Sequence, residues 1–272
     1  MNKLIEYLHG RCINRLLSWN DQVEASRIFN MPITEIETVT LGQGILPARY
    51  QRNRSAISVS DQLILHQSCV AIIGCGGLGG YVIEELARLG VGQLVVIDPD
   101  IFEEHNLNRQ LLSSTAELGS AKVEVAVRRV GLINPAITVK PHQTAFNSTN
   151  GHDLLESCAL AVDALDNIES RLQLAGCCSA MNIPMVHGAI AGWYGHVTTI
   201  LPDDTSLQNQ YSGHGNRPGI EQDLGNPAFT PAVVASMQVA EACKLLLGRE
   251  SSLHNRTVMI DLLSMERHEI PR

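Results

Sequence analysis

Residues 70–110, VAIIGCGGLGGYVIEELARLGVGQLVVIDPDIFEEHNLNRQ, decide the fold of this 272-residue chain. Val70 to Ile73 is a short continuous apolar run, which is typical of a buried parallel strand. A glycine turn follows, and apolar residues from Tyr81 to Leu89 recur at helical spacing. A second apolar run, Leu94 to Ile97, ends at Asp98. The stretch therefore predicts a strand–turn–helix–strand unit of an α/β protein.

The glycine turn carries the pattern of a nucleotide site. Gly74, Gly76 and Gly79 fit G-x-G-x-x-G, and Asp98 follows about 20 residues later. The first glycine allows a tight turn, the second lets the backbone approach a phosphate, and the third lets the helix pack near the strand. Amides at the helix start hold an anion, and Asp98 can accept hydrogen bonds from ribose hydroxyls. We expect a nucleotide here; the alternative is a tight turn without a ligand.

Polar and basic residues continue beyond Asp98. They are Glu103, Glu104, Asn106, Arg109, Gln110 and Lys122. A dehydrogenase needs no such cluster near its phosphates. A nucleotidyl-transfer enzyme does, because charge builds on the phosphorus oxygens in the transition state. The cluster therefore favours nucleotidyl transfer.

Four motifs in order resemble the ThiF/MoeB/HesA family, the bacterial relatives of ubiquitin-activating (E1) enzymes. They are Asp98-Pro-Asp100, Asn106-Leu-Asn-Arg-Gln110, Gly119-Ser-Ala-Lys122 and Asp163-Ala-Leu-Asp166-Asn167, with Asn134-Pro135 as a further match. The likeness runs from about residue 49 to about residue 248. It implies a Rossmann-like doubly wound sheet, parallel in its first half and mixed or antiparallel in its second.

The resemblance also implies a reaction. It is the ATP-dependent adenylation of the C-terminal glycine carboxylate of a small ubiquitin-like sulfur-carrier protein (ThiS/MoaD type, ending Gly-Gly), with release of pyrophosphate. A separate sulfur donor would act on the product. The resemblance assigns catalysis to Arg52, Arg109, Lys122 and Asp166. It assigns nucleotide binding to Gly74, Gly76, Gly77, Gly79, Asp98, Asp100, Asn106, Arg109, Gln110, Lys122 and Asn167.

Three of these roles have plainer alternatives. In relatives an arginine ahead of the core domain reaches the ATP phosphates across a homodimer interface. Arg52 is the closest match to it, and Arg49 and Arg54 are alternates. The other interpretation is that these arginines form a solvated basic run. Lys122 fits a phosphate partner or a surface lysine. Asp166 fits a Mg²⁺ ligand, because Mg²⁺ prefers oxygen ligands and shared phosphates, or a helix N-cap.

Other function classes remain open from the sequence. One is a related adenylating enzyme that acts on a small molecule or a tRNA base. Another is an NAD-dependent oxidoreductase, which the glycine turn and Asp98 alone permit. The third is a non-catalytic E1-like scaffold. His187, near the tail-entry passage of relatives, is either catalytic or a satisfied core histidine, and the core interpretation is favoured.

Composition sets broader limits. The chain is 44% hydrophobic but only 4% aromatic, so its core must be aliphatic. A net charge of −8 argues against a nucleic-acid surface. The sequence contains neither a membrane-length apolar segment nor a signal-peptide pattern, which predicts a soluble cytoplasmic protein with no membrane partner.

Residues 1–47 are predicted to be a small helical appendage to a domain of residues 48–272. Helical spacing runs over Leu4 to Leu17, and further helices are expected at Asp21–Phe29 and Thr34–Val39. The last two resemble a helix-turn-helix. The acidic balance favours a role in dimer contacts or in embracing the next domain over DNA binding.

The cysteines and the later segments complete the predictions. The seven cysteines include no CxxC pair, so no structural zinc is expected. Helices are predicted at Ser114–Asn134 and Ala232–Leu247, and a long loop at Pro202–Pro231. In some relatives this loop carries a reactive cysteine. Here it has none, and Cys177 and Cys178, in an apolar helix, are poor candidates for a covalent intermediate.

Overall fold

The structure, a computed structural model, describes residues 1–211 and 224–272. The strands are β1 (Leu16–Leu17), β2 (Leu46–Pro47), β3 (Cys69–Ile73), β4 (Gln93–Ile97), β5 (Thr138–His142), β6 (Leu160–Asp163), β7 (Met185–Ala191), β8 (Tyr194–Ile200), β9 (Arg256–Asp261) and β10 (Glu266–Pro271). The helices are α1 (Asn2–Arg11), α2 (Trp19–Phe29), α3 (Ile33–Gly42), α4 (Val59–Gln67), α5 (Gly77–Leu89), α6 (Lys122–Ile133), α7 (Gly151–Leu155), α8 (Ile168–Ala180), α9 (Ser206–Tyr211) and α10 (Phe229–Leu246). Short 3-10 helices cover Ala48–Asn53, Glu104–Asn106 and Thr115–Glu117.

An eight-stranded mixed sheet forms the centre of the molecule. Its strand order is β10-β9-β8-β7-β6-β3-β4-β5. Neighbours from β5 to β7 pair in parallel, and β7 to β10 pair antiparallel. The chain runs outward from β3 to β5 and then returns to place β6 on the other side of β3. This creates a topological switch point between β3 and β6, and the predicted fold class is confirmed.

The central strands are buried on both faces, as their apolar runs predict. Alternate residues of β3 enter two different cores. Val70 and Ile72 pack in a core with α5, α6 and α10, and Ala71 and Ile73 pack in a core on the other face with α7 and α8. This double cover fixes the strand register, so the carboxyl ends of β3, β4 and β6 meet at one edge.

The N-terminal helices have a small core of their own, centred on Leu8, Leu17 and Ile36. The predicted helix from Leu4 to Leu17 is too long, because α1 ends at Arg11. Asn14 and Arg15 adopt positive φ angles of 53° and 61°, which a helix does not allow. The chain then turns back, and β1 pairs in parallel with β2.

A buried carboxylate joins this helical segment to the main domain. Glu37 of α3 is fully buried and forms an ion pair with Arg49. Its other oxygen accepts a 2.8 Å hydrogen bond from the Tyr50 hydroxyl, which in turn accepts one from Asn134 Nδ2 at 2.7 Å. The junction between the two parts is therefore built from charged and polar groups that satisfy one another.

Two other predicted boundaries are wrong. The helix expected at Ser114–Asn134 is a 3-10 turn followed by α6 from Lys122, because Gly119 has a φ of +83°. The loop expected at Pro202–Pro231 contains α9, and α10 begins at Phe229. The remainder of that loop, 212–223, lies outside the described residues. No helix in the described ranges is long and apolar enough to cross a membrane.

Candidate active site

A cavity of about 590 Å³ lies at the switch point, where the carboxyl ends of β3, β4 and β6 meet. Ligands of open α/β sheets bind at this position. Most of the predicted site residues line it: Gly74, Gly76, Gly77, Asp98, Asp100, Arg109, Gln110, Lys122, Asp166 and Asn167. Gly79, Asn106 and Arg52 do not. The fold thus brings the turn after β3, the loops after β4 and β6, and the start of α6 around one cavity.

The glycine turn forms the floor of the cavity through close main-chain contacts. Gly74 has a φ of +98°, and a Cβ on it would lie 2.6 Å from the carbonyl oxygen of Ala164. A Cβ on Gly79 would lie 1.8 Å from the carbonyl oxygen of Gly74. Neither position admits a side chain. Because α5 begins at Gly77, the positive end of its dipole faces the cavity, which suits a phosphate.

Asp98 ties the end of β4 to the glycine turn. One carboxylate oxygen accepts the Cys75 N–H at 2.6 Å, and the other accepts the Asp100 N–H at 2.8 Å. Burial raises the pKa of the Asp98 carboxyl, and the nearby Lys122 partly opposes that shift. The carboxylate is therefore held rigidly at the cavity wall.

Lys122 begins α6 and is buried, which excludes the surface-lysine interpretation. Its Nζ lies 2.9 Å from Asp100 Oδ2 and 4.0 Å from Asp98 Oδ1. The Lys122 ammonium is therefore held between two carboxylates at the cavity wall. It is a fixed positive charge near the glycine turn.

The loop after β4 supplies three polar residues with different roles. Asn106 is buried and accepts the Glu103 N–H at 3.0 Å, so it shapes the loop. Arg109 donates to the carbonyl oxygen of His105 and to Asn108 Oδ1, and it lines the cavity. Gln110 is buried beside Gly76, and its Oε1 has no partner among the described residues. An orphaned acceptor of this kind fits a ligand that donates a hydrogen bond.

The loop after β6 separates the two interpretations of Asp166. Asn167 caps α8, because its Oδ1 accepts the Ser170 N–H at 2.8 Å. Asp166 is exposed at the cavity and has no hydrogen bond or ion pair with the other described residues. A free carboxylate fits Mg²⁺, which binds one or two carboxylates together with substrate phosphates. The capping role therefore does not occupy Asp166.

A buried hydrogen-bond network lies behind this loop, and only its member His187 was considered for a role from the sequence. Asp163 Oδ2 lies 2.6 Å from His187 Nδ1, and His187 Nε2 lies 3.1 Å from His196 Nε2. Burial lowers the pKa of His187 and lowers that of His196 to about 3. Neither histidine lines the cavity. His187 is thus a satisfied core residue that supports the Asp163–Asn167 loop.

Several cavity residues were missed by sequence reasoning. Arg171 donates to the carbonyl oxygen of Leu165 at 2.6 Å and lines the cavity. The signal for it was a basic residue one turn into the helix that follows D-x-x-D-N. Phe146 and Asn226 also line the cavity but belong to no local sequence motif, and Ile190 lines it from the segment just after His187.

The three arginines ahead of the core have different environments. Arg49 is bound to Glu37 and Gln22. Arg52 and Arg54 are exposed on and just after the 3-10 helix at 48–53, and neither lines the cavity. Arg49 is therefore used within the chain, whereas Arg52 and Arg54 are both exposed.

The thiols lie away from the cavity surface. Cys178 is buried in α8 and burial raises its pKa to about 12; burial also raises the pKa of Cys177. Cys75, inside the glycine turn, is fully buried, which raises its pKa well above the usual value. None of these thiols is poised as a thiolate. Among the described residues, no group of three His, Cys, Asp or Glu side chains is placed to hold a metal.

Curated proteins with similar sequences include activating enzymes and adenylyltransferases. The chain is 34% identical over 228 residues to the SAMP-activating enzyme E1 of Haloferax volcanii, covering 82% of this chain and 84% of that protein. It is 32% identical to the sulfur carrier protein adenylyltransferase of Thermus thermophilus, covering 79% and 83%. Against the adenylyltransferase and sulfurtransferase MOCS3 of Arabidopsis thaliana it is 32% identical but covers only 48% of that longer protein.

Solved structures agree on the fold. The Escherichia coli MccB structure with ATP has a TM-score of 0.70 at 22% identity, covering 92% of this chain and 82% of that chain. The Escherichia coli tRNA N6-threonylcarbamoyladenosine dehydratase TcdA has a TM-score of 0.64 at 22% identity, covering 74% and 95%. At these identities the likeness shows the fold alone.

The prediction of an adenylyltransferase is confirmed by the curated relatives. The family profile described as ThiF family matches residues 50–272, from the 3-10 helix before the core to the last strand. That match covers every segment that lines the cavity. Together with the relatives above 30% identity, it shows that this chain belongs to the ThiF family.

Proposed function

We propose that this protein uses ATP to adenylate the C-terminal glycine carboxylate of a small ubiquitin-like sulfur-carrier protein of the ThiS/MoaD type, releasing pyrophosphate. One observation carries the proposal: Lys122, Arg109 and the free Asp166 carboxylate converge on a glycine turn that fits a phosphate. Two relatives whose names refer to SAMP activation and to a sulfur carrier support the choice of substrate.

The chain's own groups supply positioning and charge. Asp98 and Gln110 bind the nucleoside side, and the glycine turn holds the phosphates. The glycine carboxylate attacks the α-phosphorus; a new C–O–P linkage forms as the bond to the β-phosphate oxygen breaks and pyrophosphate leaves. No general base is needed, because a carboxylate is already ionised at neutral pH. Arg109 and Lys122 offset the charge that develops on the phosphate oxygens.

A magnesium ion is part of the proposal. Asp166 would hold Mg²⁺, which supplies charge neutralisation to the phosphates when bound. Asn167 keeps Asp166 in place by capping α8.

A homodimer and a separate sulfur donor complete the proposed cycle in the cytoplasm. Arg52 is exposed and away from the cavity of its own chain, which fits delivery to a neighbouring subunit's phosphates. Cys75 in the glycine turn and Cys178 in α8 are buried with raised pKa values, which supports transfer of the acyl-adenylate to an external sulfur donor.

Carrier-dependent ATP–pyrophosphate exchange tests this function. Asp166→Ala is expected to lower the exchange rate by about 100-fold or more, the scale on which one charge-stabilising group acts. Asp153→Ala, which removes an exposed carboxylate on α7, is the matched control and should exchange like the wild type. Equal exchange by the wild type and Asp166→Ala would show that the role assigned to Asp166 is wrong. Binding of NADH in place of ATP would overturn the function itself.

A further inference from the structure

Asn226, which lines the cavity, has a second buried and unpartnered amide oxygen. In the described part of the chain, Gln110 Oε1 and Asn226 Oδ1 are the two buried, unbonded oxygens that belong to cavity-lining residues. Gln110 lies beside Gly76 at the glycine turn, where the nucleotide belongs. Asn226 belongs to no motif and has no role in the proposed reaction. A buried carbonyl oxygen without a partner calls for an explanation.

The position of Asn226 is fixed from two sides. The Gly192 N–H, in the turn after β7, donates to the carbonyl oxygen of Gly225 at 2.7 Å. Asn108 Nδ2, in the loop that carries Arg109, donates to the carbonyl oxygen of Asn226 at 3.2 Å. The main chain at Asn226 is therefore held between the end of β7 and the Arg109 loop, and its side chain lines the cavity.

The order of strands tells which part of a substrate meets Asn226. Along the sheet from β4 to β7, the cavity is lined by Asp98 after β4, the glycine turn after β3, Asp166 after β6 and Ile190 in β7. A ribose on Asp98 and an α-phosphate at the glycine turn leave the β7 side for the attacking carboxylate. The chain that bears this carboxylate then passes Ile190 and Asn226.

The hydrogen-bonding capacity of the Asn226 side chain determines which substrate group it can bind. Oδ1 only accepts hydrogen bonds, and phosphate or carboxylate oxygens are themselves acceptors at neutral pH. The matching donor is an N–H, which every peptide unit of an extended glycine tail carries. The torsion about the Cβ–Cγ bond of asparagine is broad, so a modest rotation turns the oxygen toward the tail.

We propose that Asn226 is a substrate-binding residue whose Oδ1 accepts a hydrogen bond from a main-chain N–H in the last two residues of the incoming tail. It thereby favours a peptide C-terminus over a small carboxylic acid. The inference rests on the proposed adenylation and adds a residue that reads the backbone of the tail.

The test removes the donor and the acceptor separately. The probe is a ubiquitin-fold carrier ending in Gly-Gly that supports exchange by the wild type, together with two semisynthetic copies in which an ester oxygen replaces one of the last two N–H groups. Affinity is measured by calorimetry with an ATP analogue that has a methylene bridge between the α- and β-phosphates, and kcat/KM is measured by exchange. Asn20→Ala, at an exposed asparagine of α2, is the control variant.

One ester carrier is expected to bind the wild type about tenfold more weakly than the amide carrier, which is the usual size of one lost hydrogen bond. Asn226→Ala should bind the amide carrier about tenfold more weakly and should not discriminate between ester and amide. Its affinity for the ATP analogue alone should be unchanged.

Two results would overturn the assignment: Asn226→Ala binding the amide carrier like the wild type, or both esters binding the wild type like the amide. The second comparison uses only wild-type enzyme, so it stands even if the variant fails to fold. A wild type without carrier-dependent exchange would instead defeat the proposed adenylation.

Discussion

A methyl group added to Gly79 of α5 would lie 1.8 Å from the carbonyl oxygen of Gly74. We expect Gly79→Ala to lower the free energy of unfolding by about 1–3 kcal/mol and to weaken ATP binding, because the added methyl forces the helix away from the turn. Thermal unfolding and calorimetric titration with ATP measure the two effects.

Gly131→Ala is the control for that substitution. Gly131 lies exposed in α6, and a methyl group added there would meet nothing within 4 Å beyond its own stretch of helix, so alanine should stabilise the protein by about 0.5–1 kcal/mol. A Gly79→Ala protein as stable as the wild type would contradict the role given to the close contact.

Arg49 and Arg52 provide a second residue-scale contrast. Arg49→Ala leaves the fully buried Glu37 carboxylate without its cation and should destabilise the fold by about 3–5 kcal/mol. Arg52→Ala removes an exposed side chain and should leave the urea midpoint unchanged while it lowers pyrophosphate exchange. A destabilised Arg52→Ala, or an unaffected Arg49→Ala, would reverse the assignment of the two arginines.

The site residues that sequence reasoning found are those held within short local motifs. Gly74 and Asp98 were predictable because a tight turn and a strand end demand their residue types. Arg171 was overlooked, although it stands one helical turn after D-x-x-D-N. Asn226 was not predictable, since what brings it to the cavity is packing between distant segments. Local spacing carries no trace of such a contact.

At the scale of elements, the antiparallel β7–β8 pair buries two histidines side by side. Burial lowers the pKa of His196 to about 3 and also lowers that of His187; the charged groups around the pair are Asp163, Arg171 and Arg272. Above a pH of about 6.5 both folded and unfolded chains hold neutral histidines. As pH falls below that value, only the unfolded chain takes up these protons, so the folded state loses stability toward acid.

His196→Gln should make this loss shallower. Between pH 7 and pH 5 the wild type is expected to lose about 2 kcal/mol more free energy of unfolding than the variant. Urea unfolding at the two pH values measures the difference. Parallel losses in the two proteins would show that His196 does not remain neutral in the fold.

Most elements were predictable in kind, because β3, β4 and α5 show clear strand or helix periodicity. The two helix ends that were predicted wrongly, at Leu17 and at Ser114, share a cause. Asn14, Arg15 and Gly119 adopt positive φ angles inside runs that are apolar enough to continue a helix. In each case a tertiary contact sets the helix end. β1 pairs with β2 after α1, and the Gly119 N–H donates to the Phe102 carbonyl oxygen before α6.

At the scale of the whole molecule, the position of Arg52 away from its own cavity leads to a complementation experiment. If Arg52 serves the partner's site, mixing inactive Arg52→Ala and Asp166→Ala subunits should create one intact site in each mixed dimer. After full exchange of subunits, about a quarter of wild-type pyrophosphate exchange should return. Restoration that never exceeds the sum of the two variants would place Arg52 in its own subunit or outside the reaction.

The close packing of Gly79 against the Gly74 carbonyl oxygen also limits which substitutions these two positions can accept during evolution. Both partners are main chain, so no neighbouring side chain can shrink to make room for a substituent. A library of all single and paired substitutions would find the two positions intolerant in every background, while a side-chain pair such as Glu37 with Arg49 would accept rescue by a second change.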